Sequence, residues 1–242
     1  MPGNRPPPQT PPRHKGPRNT AVPKKTRPFS VKQTIFKPRC KRCERLAEFL
    51  REVRREYPDY HAAPVAPFGS DDPGLLVVGL APGMHGANAT GRPFTGDYAG
   101  ILLYETLYEF GYANQPEAES LDDGLELSDC RITNAVKCLP PQNKPTGAEV
   151  RTCNDFLAAE LEALRPGAVV LALGAVAHGA VIRAFGLRPK DHPFGHGNEH
   201  DLPEGRILID SYHCSRYNTQ TKRLTPKMFK QVFSRIQQLQ AN

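Results

Sequence analysis

Apolar positions along the 242-residue chain fall into two periodicities. Four short runs are apolar and β-branched almost throughout: residues 75–80 (LLVVGL), 131–136 (RITNAV), 168–173 (AVVLAL) and 206–210 (RILID). Runs of that length without in/out alternation predict strands covered on both faces, as in a parallel sheet. Around them the repeat becomes helical. Leu46, Phe49, Leu50 and Val53 recur at i, i+3, i+4 and i+7, predicting a helix over 42–57. A Pro/Ala/Gly-rich stretch, 58–73, links it to the first strand. Thr146 with Glu149 forms a capping box ahead of a stripe of Val150, Cys153, Leu157, Leu161 and Leu164, which stops at Pro166-Gly167. Thr225-Pro226 opens a last helix with Phe229, Val232, Phe233 and Ile236 facing inward. Strand–helix alternation of this kind predicts an α/β fold, a three-layer α/β/α sandwich around a mainly parallel four-stranded sheet.

Ligands of such sheets gather at the carboxyl ends of the strands. Three polar, turn-rich segments follow strands there: 79–97 (GLAPGMHGANATGRPFTGD), 134–141 (NAVKCLPP) and 213–225 (HCSRYNTQTKRLT). Gly86 and Gly91 have the four-residue gap of a phosphate-binding loop, but Arg92-Pro93 follows instead of Lys-Ser/Thr, which disfavours a nucleoside-triphosphate site.

Composition refines the picture through its distribution. The formal charge is +7, yet residues 1–43 hold 12 of the 32 Lys+Arg and no acid, leaving 20 basic against 25 acidic residues in the body. A uniformly basic, histone-like protein is excluded. Residues 1–38 also hold 10 of the 25 prolines, the composition of a disordered basic tail, with a catalytic domain expected over 39–242. No apolar run reaches the roughly 18 residues of a membrane span, and no apolar core follows the N-terminal basic residues. The expected setting is therefore cytoplasmic and the expected state a monomer, with reduced, metal-bound or catalytic cysteines. Cys40 and Cys43 form a C-x₂-C pair, and Cys138 and Cys153 a second, wider pair. Four thiolates suit tetrahedral zinc or a 4Fe–4S cluster. Cys130 and Cys214 are left over, Cys130 expected as a small buried strand residue.

The three polar segments resemble the motifs of the uracil-DNA glycosylase superfamily, closest to its type B branch, also called family 5. The likeness spans about 40–235 and is most specific over 79–97. It implies base flipping from uracil-containing DNA and hydrolysis of the N-glycosidic bond, with hypoxanthine and xanthine as further candidate bases. It assigns Phe94 to base stacking, Asn134 to reading the base edge and His213 to the developing anion at the base O2. Ser215, Asn218 and the backbone at Ala81 and Gly83 become substrate contacts, with Arg216 and Tyr217 in the segment that would wedge into the duplex. Other branches carry a water-activating carboxylate where Leu80 or Ala81 stands. Here Asp97 takes its place as the candidate, with Asn88 helping to orient water; Asp97 also reads as the N-cap of a helix bearing Leu103, Leu107 and Phe110. The third segment has Cys214 where many relatives have proline. The resemblance, with the wide second cysteine spacing, favours the 4Fe–4S cluster over zinc. Two rival readings stand beside it: a non-catalytic nucleic-acid-binding iron–sulfur or zinc protein of the same fold, and a zinc hydrolase, which the three loops disfavour because they lack a His/Asp ligand cluster.

Overall fold

A computed structural model of the protein describes residues 36–241. The expected tail therefore lies outside the described residues up to residue 35; Phe36, the first described residue, meets Phe156 edge-on at 6.4 Å. The four anticipated strands form as β2 (Leu75–Gly79), β3 (Cys130–Asn134), β4 (Val169–Leu173) and β6 (Ile207–Ser211). They pair in parallel in the order β3-β2-β4-β6. Two short antiparallel edge strands, β1 (Phe68–Gly69) and β5 (Glu199–Asp201), extend the sheet to six. Neither showed in the apolar pattern, because two or three half-buried or exposed residues carry no periodicity.

Both sheet faces are covered. Leu75, Val77, Ile132, Val169, Leu171 and Ile209 belong to a core with residues of α3 (Tyr98–Glu109) and α7 (Pro226–Gln240). Their strand neighbours Leu76, Val78, Val170, Ala172 and Leu208 point the other way, into a core with α4 (Gly147–Glu162) and α5 (Ala175–Ala184). Alternating side chains of one strand thus feed two cores, which fixes the register: a one-residue slip would exchange the two sets. The chemistry of the helix ends follows the sequence. Thr146 Oγ1 accepts from the Glu149 backbone N–H at 3.2 Å and Glu149 Oε2 accepts from the Thr146 N–H at 2.7 Å, closing the capping box. Glu149 also takes two hydrogen bonds from Arg45, at 2.8 and 2.7 Å, which holds its carboxyl below the ordinary carboxylate range and ties α4 to α1 (Glu44–Glu56). Helix α1 buries Leu46, Leu50 and Val53 in a third core with Val136, Leu139 and Phe156.

Candidate active site

At the carboxyl edge of the parallel strands lies a cavity of ≈ 390 Å³, the scale of a small-molecule site. All three polar segments line it. Leu80, Ala81, Gly83, Ala87, Phe94 and Asp97 come from the first, Asn134 and Asn143 from the second strand end and the turn beyond it, His213 and Ser215 from the third. A fourth wall is the turn from β4 into α5, Leu173 to Val176.

Phe94 is held in a conformation that non-glycine residues seldom adopt, with φ 54°. Its surroundings enforce it. Tyr104 Oη donates to the Pro93 carbonyl at 2.7 Å, and buried Arg92 donates to Thr95 Oγ1 at 2.8 Å and to Asp123 at 2.9 and 2.5 Å. That pairing holds the Asp123 carboxyl well below its ordinary range. The Phe94 ring stacks on His213 at 5.9 Å with 28° between planes. Two glycines permit the arrangement. A methyl on Gly79 would come within 2.4 Å of Asn134 Oδ1 and 2.7 Å of the Phe94 ring, and one on Gly100 within 1.8 Å of the Phe94 carbonyl. Gly79 faces Asn134 in the β2–β3 register, so the strand pairing itself delivers Asn134 beside Phe94.

Asn134 is 3% exposed and among the described residues its Oδ1 has no hydrogen-bond partner; His213 Nδ1 is likewise enclosed and without a partner among them. Burial pushes the His213 imidazolium down to a pKa of about 4, so the ring is neutral near pH 7. Asp97 is the expected N-cap of α3, accepting from the Gly100 N–H at 3.0 Å, and it also lines the cavity. Burial raises its pKa, against the lowering effect of the Gly100 and Ala99 amides. Its other oxygen, Oδ2, lies over Gly83 and Gly86, where a methyl on Gly86 would approach to 2.5 Å.

Two expected contacts fall outside the cavity wall. Asn88 is fully buried beneath the first loop, its amide donating to the Met84 carbonyl at 3.4 Å while its backbone carbonyl accepts from Ala62. Asn218 sits on α6 (Arg216–Gln220) and donates through Nδ2 to the His213 carbonyl at 2.8 Å, one layer behind the wall. Both are polar residues in polar loops, and sequence alone does not separate a wall from the layer supporting it. Conversely, Asn143 and the β4–α5 turn were not anticipated. The turn's contribution is backbone and small apolar side chains, and Asn143 lies nine residues beyond Asn134 with a left-handed φ of 56°. Tyr217 is 71% exposed, and Arg216 lies over the Tyr98 ring at 5.8 Å. Among the described residues no lysine lines the cavity; Lys137 is buried with its ammonium paired to Glu160 at 2.7 Å.

Cys40, Cys43, Cys138 and Cys153 line one separate cavity between α1 and α4. Burial raises the thiol pKa values of Cys43 to about 11 and Cys138 to about 12, with the neighbouring cysteines adding to each. The Lys137 backbone N–H donates to Cys153 Sγ at 3.3 Å. Sulfurs around one zinc stand ~3.8 Å apart; among the described residues the group spaced to hold a single ion is formed elsewhere, by histidines and an aspartate, and not by these cysteines. Cys130 and Cys214 are fully buried and apart from this set.

Fold and pocket together define an α/β/α protein with a polar-edged cavity at the carboxyl ends of its parallel strands. Residues 66–237 match the family profile described as the Uracil DNA glycosylase superfamily, and the chain belongs to that superfamily. Among curated proteins it is similar to a type-5 uracil-DNA glycosylase of Thermus thermophilus, 46% identical over 205 residues that cover 83% of this chain and 93% of the relative. Type-5 enzymes of Pyrobaculum aerophilum and Mycobacterium leprae are each 42% identical, over 81% and 80% of this chain and 87% and 88% of their own.

Proposed function

We propose that the chain is a monofunctional DNA glycosylase that removes uracil from DNA by hydrolysing its N-glycosidic bond. The observation that carries this reading is a base-sized cavity whose enclosed polar atoms, Asn134 Oδ1 and His213 Nδ1, have no partner among the described residues. Such atoms cost about 1–3 kcal/mol each to bury, a cost a hydrogen-bonding ligand would recover. A flipped uracil stacks on Phe94 and pairs its edge with the Asn134 amide. As the C1′–N1 bond breaks, its electron pair leaves with the base and the sugar becomes oxocarbenium-like. Neutral His213 donates an N–H to the developing base anion, which in a dry pocket needs no prior protonation. Asp97 offers Oδ2 to a water on the sugar side while α3 holds Oδ1; the water oxygen bonds to C1′, its surplus proton passes to Asp97 and is returned through solvent to the base anion, leaving neutral free base and an abasic site. Among the described residues no lysine stands on the wall to form a Schiff base with the sugar. Ser215 and the Ala81–Gly83 backbone bind the flanking phosphates, and exposed Tyr217 with Arg216 enters the gap. Asn88 and Asn218 act as supports, Asn218 fixing the His213 backbone.

Ala81, in place of a carboxylate, leaves room for purine bases such as hypoxanthine and xanthine. The four cysteines hold a 4Fe–4S cluster in preference to zinc: the donor set is all thiol, its spacing does not suit one ion, and a backbone N–H already serves Cys153. When bound, the cluster supplies a rigid cross-link between the segment before α1, the strand end after Asn134 and α4. The test is a duplex panel carrying uracil, hypoxanthine, xanthine or a thymine mismatch, with release of free base and alkali-labile sites as readouts. No uracil release at saturating enzyme sinks the reading. Iron with acid-labile sulfide supports the cluster; stoichiometric zinc without iron replaces it.

A further inference from the structure

A second cluster of ionisable groups lies away from the cysteines and outside the three loops. Asp210, on β6, is fully buried, and no lysine or arginine pairs with it among the described residues. Its Oδ1 lies 2.8 Å from His178 Nδ1, on α5, and its Oδ2 lies 3.4 Å from His200 Nε2, on β5. The three ligand atoms are all within 4.8 Å of one another. A buried carboxylate needs positive charge beside it. Here the only candidates are two imidazoles aimed at it from two other elements.

We propose that His178 Nδ1, His200 Nε2 and the Asp210 carboxylate bind a divalent transition-metal ion, of which zinc is the best match. The outer contacts are those of a metal site. His178 turns its other nitrogen, Nε2, to the His192 carbonyl at 2.9 Å, which holds the ring in place, so that an ion at Nδ1 would displace only the proton which Nδ1 shares with Asp210 Oδ1. The Gly195 N–H donates to Asp210 Oδ2 at 3.3 Å. Two imidazoles and one carboxylate suit zinc and its neighbours, whereas calcium and magnesium take oxygen sets. Three protein ligands leave a fourth position for water. The ion would fasten α5 and β5 to β6, the strand that runs directly into His213, and would brace the helix whose first turn forms the fourth wall of the base cavity.

The competing description is a hydrogen-bonded His178–Asp210 ion pair with His200 as neighbour, and metal uptake separates the two. Full-length protein, with whatever its cysteines hold left in place, is titrated with zinc chloride by calorimetry, and the bound zinc is examined by X-ray absorption. The expected result is one zinc per chain with a nitrogen/oxygen shell at about 2.0–2.1 Å and no sulfur. His200→Gln, which removes a direct ligand, should bind at least about 100-fold more weakly, beyond the roughly 10- to 100-fold that loss of a supporting contact costs. Zinc should raise the Tm of the wild type and not of the variant. Absence of zinc uptake, a sulfur shell, or equal affinity in His200→Gln overturns the site and leaves the ion pair.

Discussion

The base cavity and the Asp210 cluster are built on adjacent stretches of chain, and they treat buried polar atoms in opposite ways. Only Ser211 and Tyr212 separate Asp210 from His213. At Asp210, without an ion bound, both carboxylate oxygens have donors, and both ring nitrogens of His178 are engaged. At the cavity, Asn134 Oδ1 and His213 Nδ1 are enclosed with no partner among the described residues. The first pattern serves stability, since every desolvated group is compensated. The second gives up stability inside the apo protein and recovers it only when a ligand arrives. Damage on the two sides of β6 should therefore read out differently.

The largest effect is expected at the satisfied cluster. Asp210→Ala strips the carboxylate from His178 and His200, and breaking a buried charged pair removes about 3–5 kcal/mol of stability. Urea unfolding measures this directly; a change below about 1 kcal/mol would mean that the cluster contributes no more than an exposed pair. The mirror result is expected across the strand. His213→Ala should lower single-turnover uracil release by about 10²–10³, as removal of one anion-stabilising donor does, with an unfolding midpoint close to wild type because no bond within the protein is lost. A large loss of stability with activity intact would erase the contrast. Acid should sharpen it. His213 has a folded pKa of about 4 against the ordinary 6.5, so the unfolded chain binds more protons between those values. The contribution of this residue to stability is complete above about pH 6.5 and declines as pH falls through the window toward 4. His213→Asn should flatten that part of the stability–pH curve, measured by denaturation at matched ionic strength.

Much of this contrast was legible in the residues, and the remainder was not for identifiable reasons. The four parallel strands announced themselves because strands such as β2 and β4 are buried at every position, so their composition is apolar throughout. The glycine-, proline- and asparagine-rich loops marked three walls of the cavity, and register carried Asn134 to Phe94. The β4–α5 wall was silent because it presents Gly174, Ala175 and Val176, which have no chemistry of their own. Asp210 read as the polar end of a strand. Its partners lie 32 and 10 residues away, on a helix and on an edge strand too short to leave a pattern. The layer to which a polar loop residue belongs, as with Asn88 and Asn218, is a property of three-dimensional packing alone.

Asp97 tests whether one side chain can belong to both regimes. Its Oδ1 is satisfied by the cap of α3 and its Oδ2 lies over the glycines of the first loop. Asp97→Ala should lose at least about tenfold in uracil release, the scale of a positioned general base, together with about 1 kcal/mol from the lost cap. Asp97→Ser separates the two, since serine caps a helix nearly as well but offers no carboxylate. Restored stability with activity still low assigns the rate effect to the carboxylate; near-normal single-turnover rates in both variants would remove Asp97 from the reaction. The smallest effect belongs to Asn218→Ala, which deletes the 2.8 Å bond to the His213 carbonyl and leaves every cavity-lining side chain in place. One neutral hydrogen bond contributes about 0.5–1.5 kcal/mol, so the rate should fall only about two- to tenfold, and the loss should disappear in a His213→Ala background. Additive losses in that double variant would mean that Asn218 contacts the DNA itself, moving it from the supporting layer to the wall.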